Sequence, residues 1–361
     1  NWPGRSWFAS INGLQSMYDN ASEGENQVEI TACIIQEMAD LCAENDIKTI
    51  LHLGDYFEHR KYVNYKVLKR NREMFIKPMQ DLGMKMHIIP GNHDVYWKNT
   101  NSICSLLEQL SHYDCIDVHM EPTILNFDSG LDVAMLPWMT EDNMEESLEF
   151  IQNASAPIMM GHLELQGFEM MRGIKQPMGH GMGVEPFAHF DLCLSGHYHA
   201  SSQQGNIRYL GCQMEFTWAD ANDQKYFHVF DTDTKTVEAI PNPLTLFEKI
   251  YYDDTDTDYT NYDINTLTGK FVKVIVGNKS NPFMFDKFIE RISELDTHDL
   301  KIAENFSEFL GENVLTNIED VENTTDLMAS YIDGVNTDLD KEKLKTLMNS
   351  LYNDAIDMEI Q

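Results

Sequence analysis

Along the first two-thirds of the chain, hydrophobic and polar positions alternate in blocks that predict helices and strands in turn. From Gln27 to Glu44 the apolar residues Val28, Ile34, Ile35, Met38, Leu41 and Cys42 recur on one helical face. An apolar run at 47–53, closed by Gly54-Asp55-Tyr56-Phe57-Glu58, predicts a buried strand. The pattern then repeats: a basic helix over about 63–82, a strand over 84–89, and the tip Gly91-Asn92-His93-Asp94. A helix near 102–111 leads into short strands at 115–119, 123–127 and 131–136 and a helix at 143–153. Strands at 157–160 and 192–194 end in Gly161-His162 and Ser195-Gly196-His197-Tyr198-His199, and more strands follow at 207–211, 225–231 and 236–240. Helix, strand and polar tip in succession predict a layered α/β sheet. Residues 1–26, rich in Asn, Ser and Gly, read as a loop or frayed end, and the Gly- and Pro-rich stretch 173–186 as a loop.

Beyond 242 the pattern changes. Residues 244–305 read as strand, acidic loop (Asp253 to Asp263), strand (Phe271 to Val276), helix (Pro282 to Leu295) and strand, a small α+β unit. From 312 onward the chain is acidic with two amphipathic helical patterns, the later one spacing Leu344, Leu347, Leu351 and Ala355 at helical intervals. The expected organisation is therefore 1–26, 27–242, 243–308 and 309–361. With 361 residues the chain can bury a large core. No apolar run approaches the ~20 residues of a membrane span, and no signal peptide is evident. The six cysteines form no CxxC pair and read as reduced packing residues of a cytosolic protein.

Charge complicates the picture. A net charge of -33 argues against a chain that simply wraps nucleic acid, because phosphates need local cations. The cations are unevenly spread: of the 17 in residues 1–250, seven lie between Arg60 and Lys77. Arg60, Lys61, Lys66, Lys69 and Arg70 lead that stretch, which reads equally as a surface near DNA or as an exposed helix face or dimer surface.

The tips carry the candidate chemistry. Asp55, Asn92, His162, His197 and His199 each sit at the carboxyl end of an expected strand, where open α/β sheets bind their ligands, and His93 lies beside them. Any one of these tips alone would read as a turn or a packed histidine. Together, carboxylate, amide and imidazole without thiolate suit manganese, iron or zinc in an open catalytic site. Two such ions can clamp the attacking and leaving oxygens of a phosphoryl displacement.

Gly54-Asp55, Gly91-Asn92-His93-Asp94, Gly161-His162 and Gly196-His197-Tyr198-His199 resemble four successive motifs of the calcineurin-like metallophosphoesterases. Leu53 to Arg60, Val95 to Asn99, Leu136-Pro137-Trp138 and Arg208 to Gly211 make the likeness closest to the SbcD-type double-strand-break repair nucleases, over roughly residues 28–240. The resemblance implies a β-sandwich flanked by helices, a DNA-capping domain at 243–308 and a partner-binding tail. It implies two manganese ions, with Mg2+, Fe or Zn as substitutes. Asp55 would bridge them, Asn92, His162 and His197 would complete one site, and His199 would serve the other. His93, oriented by Asp94, would act near the leaving group. The implied partners are DNA, an SMC-type ATPase and a second copy of the chain, with no membrane, in the cytoplasm of a bacterial host.

One departure stands out. The family opens with a strand ending in Asp-x-His, and no histidine precedes His52 here. The sequence begins at Asn1 rather than Met, so we expect that motif upstream of it; without it, one metal should bind well and the second poorly. Two alternatives stand beside the nuclease: a small-molecule metallophosphoesterase, and a catalytically impaired scaffold that docks the ATPase.

Overall fold

Strands that are apolar on both faces need cover on both faces. Leu51, Val133, Met135, Ile158, Met160 and Leu194 pack into one cluster, while their chain neighbours Ile50, Ala134, Met159 and Cys193 face two others. Such alternation between two cores is what a pair of stacked sheets, each covered outside by helices, demands.

A computed structural model describes residues 5–8, 42–43, 45–172, 174–176, 181–304, 332, 341, 343–345 and 347. Its strands in chain order are β1 (Arg5–Phe8), β2 (Thr49–His52), β3 (Lys85–Ile88), β4 (Ile116–Val118), β5 (Thr123–Asn126), β6 (Asp132–Leu136) and β7 (Ile158–Gly161). They continue with β8 (Glu169–Met171), β9 (Ile174–Lys175), β10 (Leu192–Ser195), β11 (Ser202–Gln204), β12 (Ile207–Tyr209), β13 (Tyr226–Asp231) and β14 (Thr236–Pro241). One six-stranded sheet has the order β14-β13-β1-β2-β3-β4, and the other β11-β12-β10-β7-β6-β5. In the first, β1 to β4 run parallel; in the second, β6, β7, β10 and β12 do. The strands bearing the four tips, β2, β3, β7 and β10, thus lie inside parallel blocks, two per sheet. The fold is the expected mixed α/β sandwich.

Helices α1 (Tyr65–Asn71) and α2 (Lys77–Asp81) are joined by a π turn over Arg72–Ile76, where the sequence predicts one unbroken helix. The π turn buries both Phe75 and Ile76 in the outer cluster of the first sheet. Helix α3 (Ser105–Leu110) adds Leu106 and Leu110 to that cluster, and α4 (Met144–Asn153) puts Ile151 into the cluster outside the second sheet.

The expectation of a loop over 1–26 is corrected at Arg5–Phe8. This segment is a strand, hydrogen-bonded in parallel to β2 and antiparallel to β13. Four residues without a run of alternation carry too little local signal; the pairing partners on either side make the strand. The β8–β9 hairpin, in part of the stretch read as loop, went unmarked for the same reason. The helix expected at 27–44 and the tail helices of 309–361 fall almost wholly outside the described residues.

The chain divides into two compact units. The first holds residues 1–248, 264–272 and 292–299, and contains both sheets. The second holds residues 249–263, 273–291 and 300–361. A three-stranded sheet has the order β15 (Phe247–Asp253), β16 (Phe271–Asn278) and β17 (Asp299–Glu304). Within the second unit, Phe285 and Phe288 of helix α5 (Pro282–Ser293) pack on the ring of Tyr252, and Phe288 also meets Tyr259. The Arg291 guanidinium donates to the carbonyls of Tyr259, Thr260 and Tyr262, which ties the acidic loop to that helix.

Candidate metal centre

Each tip begins where a parallel strand ends and its backbone must turn away. After β2 the chain passes through Gly54 (φ 91°) and Asp55 (φ 55°), and after β10 through His197 (φ 84°). Positive φ at a non-glycine residue is strained, and such strain persists where the surroundings over-determine it. Here it aims Asp55 and His197 at His162, whose own chain runs straight out of β7. The ligand atoms of Asp55, His162 and His197 lie within 4.8 Å of one another.

The hydrogen-bond inventory of His162 shows why this is a cation cradle. Its Nδ1 lies 2.6 Å from the Leu53 carbonyl, which fixes that nitrogen as the N–H. Its other ring nitrogen, Nε2, faces Asp55 Oδ2 at 3.1 Å and Asn92 Oδ1 at 3.0 Å. His197 Nδ1 meets the same Asn92 oxygen at 2.9 Å. A carboxylate oxygen, an amide oxygen and two ring nitrogens thus converge within hydrogen-bond distance of one another. A divalent cation among them satisfies every lone pair, so the residues fit the group.

Charge and burial agree. Burial works to raise the Asp55 carboxyl and to lower His162, but facing each other they override it: the carboxyl is held well below the usual carboxylate range and His162 is raised. Burial, and His162 after it, push His197 down to about 3, leaving it neutral and able to ligate. The Trp138 ring packs 5.7 Å from His162 and 5.2 Å from His197, centre to centre, and limits how either can turn.

His93 and Asp94 are placed otherwise than the resemblance implies. Asp94 is fully buried and accepts backbone N–H bonds from Tyr56, Phe57 and Gly91 at 2.9–3.3 Å. It ties the loop after β2 to the loop after β3 and does not orient the His93 ring. Burial and the neighbouring Asp55 push its carboxyl up to about 7, against the pull of those three N–H groups. The His93 ring is held instead by the Glu58 carbonyl, 2.6 Å from Nδ1, and its backbone N–H donates to Asp55 Oδ1 at 2.8 Å.

His199 stands apart from the cradle. Its Nδ1 faces Asp220, 3.3 Å from Oδ1 and 3.4 Å from Oδ2. Asp220 Oδ2 also caps the turn Trp218–Asp220 by accepting from the backbone of Phe216 and Thr217. The ammonium of Lys225, with a side chain only 3% exposed, lies 2.8 Å from Asp220 and 2.7 Å from Asp223. His199, Cys212 and Asp220 have metal-like spacing, but that ammonium already supplies the cation. Among the described residues, His199, Cys212 and Asp220 thus form a set separate from Asp55, His162 and His197.

Sequence reasoning missed Asp220, Lys225, Glu58 and the Leu53 carbonyl. The one available signal was the Thr217-x-x-Asp220 capping pattern. Replacing Lys225 by Met strands the Asp220 carboxylate, which should cost about 3–5 kcal/mol in urea denaturation; an unchanged midpoint would refute the network. Asp220 is held well below its ordinary value, its own burial outweighed by His199 and Lys225. Its contribution is therefore full above about pH 4 and drains as the pH falls further.

Of the basic stretch, Lys61, Lys66 and Lys69 are exposed, while Arg60 and Arg70 are partly buried. Lys61 reaches over the Tyr96 ring at 5.9 Å, and Lys69 sits 3.9 Å from Glu73 one helical turn on. Among the described cysteines all are free, and burial pushes Cys42, Cys104 and Cys193 up to about 12, consistent with packing roles.

Comparison with known proteins adds to this geometry. The family model described as calcineurin-like phosphoesterase matches residues 31–201. "Exonuclease subunit 1" of Enterobacteria phage T4 is 32% identical over 324 residues, which is 89% of this chain and 91% of that protein. Among solved structures, a novel archaeal phosphodiesterase covers 66% of this chain and 99% of its own at 11% identity and a TM-score of 0.33. The nuclease MPE of Pseudomonas putida covers 65% and 85% at 16% identity and a TM-score of 0.28.

Proposed function

Since this chain belongs to the calcineurin-like phosphoesterase family, we propose that it hydrolyses DNA phosphodiester bonds as the nuclease subunit of a recombination and repair complex. The 32% identity to a phage exonuclease subunit over 89% of this chain carries this reading. Asp55, Asn92, His162 and His197 would hold the divalent cation, which we take to be manganese. Bound there, it would act as a Lewis acid on the phosphoryl oxygens. The remaining work falls to the chain's own groups. His93, its Nδ1 held by the Glu58 carbonyl and its backbone by Asp55, would act as the proton donor to the leaving oxygen. Asp94 keeps the two loops in register, and Trp138 keeps the ligating rings from rotating.

The reading extends to partners: an SMC-type ATPase docked by residues 309–361, a DNA-capping role for 243–308, a homodimer, and a cytoplasmic site in a bacterial host. Arg60, Lys61, Lys66, Lys69 and Arg70 would offset the net charge of -33 locally on DNA. A second reading, a one-metal subunit with impaired catalysis, is favoured by the engagement of His199 with Asp220.

Manganese stoichiometry combined with cleavage of end-labelled duplex DNA separates the readings. Two ions and chelator-sensitive cleavage support the nuclease. One ion with DNA binding but no cleavage supports the impaired subunit. Hydrolysis confined to small phosphodiesters would move the substrate away from DNA, and no bound ion would sink the cradle.

A further inference from the structure

We propose that Arg60 is the residue that grips the substrate's phosphate beside the metal cradle, its guanidinium fork taking the non-bridging oxygens. This deepens the phosphodiester reading and rests on it. Arg60 follows Asp55 by five residues and shares with Glu58 the segment that holds the His93 ring. Its Nη1 is buried and has no hydrogen-bond partner among the described residues. A guanidinium cannot shed its proton, so a buried N–H without an acceptor is a standing cost of folding.

The electrostatics point the same way. Burial works against the Arg60 charge, and the Asp55 carboxylate is the group that favours it, yet the two form no ion pair. The arginine thus sits within the field of the Asp55 carboxylate without forming an ion pair with it. An anion held at Asp55 and its cation would lie within reach of that charge, and its oxygens could supply the acceptor that Nη1 lacks. Arginine matches phosphate in two parallel bonds, which an ammonium does not. The exposed Lys61 and Lys66, with Tyr62 61% and Tyr65 88% exposed, follow Arg60 in the chain and would offer basic and aromatic side chains to the rest of a nucleic-acid strand.

The test compares the full chain with Arg60→Ala and Arg60→Lys, all loaded with manganese, using three probes. These are metal content, binding of inorganic phosphate, and binding of a single-stranded oligonucleotide across a salt series. Metal content should be unchanged. Arg60→Ala should weaken phosphate binding about 100-fold and Arg60→Lys about tenfold, since lysine restores charge without the fork. The salt slope of oligonucleotide binding should flatten by about 0.7, the share of one phosphate contact. Equal phosphate affinity in Arg60→Ala and the parent overturns the proposal. So does a loss of metal in parallel with phosphate in both variants, which would make Arg60 a support of the cradle. If phosphate binding behaves as expected but the parent chain ignores oligonucleotides, Arg60 stands and the nucleic-acid reading falls.

Discussion

Asp55→Asn should lower manganese affinity on the order of 10^3-fold and abolish phosphodiester cleavage, with the fold intact. Asp55 is the single carboxylate among the ligands we assign to the cradle, and its neighbours are neutral donors. Asparagine keeps the shape and can still accept the His93 backbone N–H that Asp55 Oδ1 now takes at 2.8 Å. It lacks the charge that faces His162 Nε2 at 3.1 Å. Removing one member of a buried charged set costs about 3–5 kcal/mol, and each 1.4 kcal/mol is a factor of ten in binding. Manganese titration by electron paramagnetic resonance reads the affinity, and a thermal melt of the metal-free protein checks the fold. Affinity within threefold of the parent would remove Asp55 from the site. A collapsed melt would show that the carboxylate serves the fold first.

How far such a site can be read in advance depends on how local its causes are. The four tips were legible because each closes an apolar run with Gly or Ser-Gly and then a donor atom, and the turn geometry that aims the donor is written in those few residues. Asp94 was misplaced by the same locality. It stands next to His93 in sequence, but neighbours in a tight turn point apart, and its carboxylate went to the backbone of Tyr56 and Phe57 instead. Asp220 and Lys225 carried no mark, because one acid among 59 looks like any other until β13 and the turn after β12 bring it to His199. β1 was invisible for a related reason: its state is set by β2 and β13, far away along the chain. Within the basic stretch, nothing but the fold separates Arg60, with its buried and unpartnered Nη1, from the exposed lysines after it.

The glycine before Asn92 is where fold and site meet, and Gly91→Ala should damage both. A methyl group there would stand 2.2 Å from Asp55 Oδ1, 2.4 Å from the Asp55 backbone nitrogen and 2.7 Å from His162 Cε1. None of these can yield cheaply. The Asp55 nitrogen is backbone in a left-handed turn, its carboxylate is fixed by the His93 N–H, and the His162 ring is pinned through Nδ1 to Leu53. Relief would require the loops after β2 and β3 to part, which pulls against the two N–H bonds, from Tyr56 and Phe57, by which Asp94 joins them. Overpacking of this kind costs about 1–3 kcal/mol of stability. Displaced ligands should lose metal affinity by about 100-fold, the upper range for a disturbed supporting shell. Gly83→Ala is the internal control: its Cβ meets nothing within 4 Å, so its penalty is confined to the positive φ of 62°. The expected result is a modest stability loss with full metal binding in Gly83→Ala and loss of both in Gly91→Ala. Equal metal affinity in the two variants would mean that the loops after β2 and β3 are not held as tightly as the Asp94 bonds require.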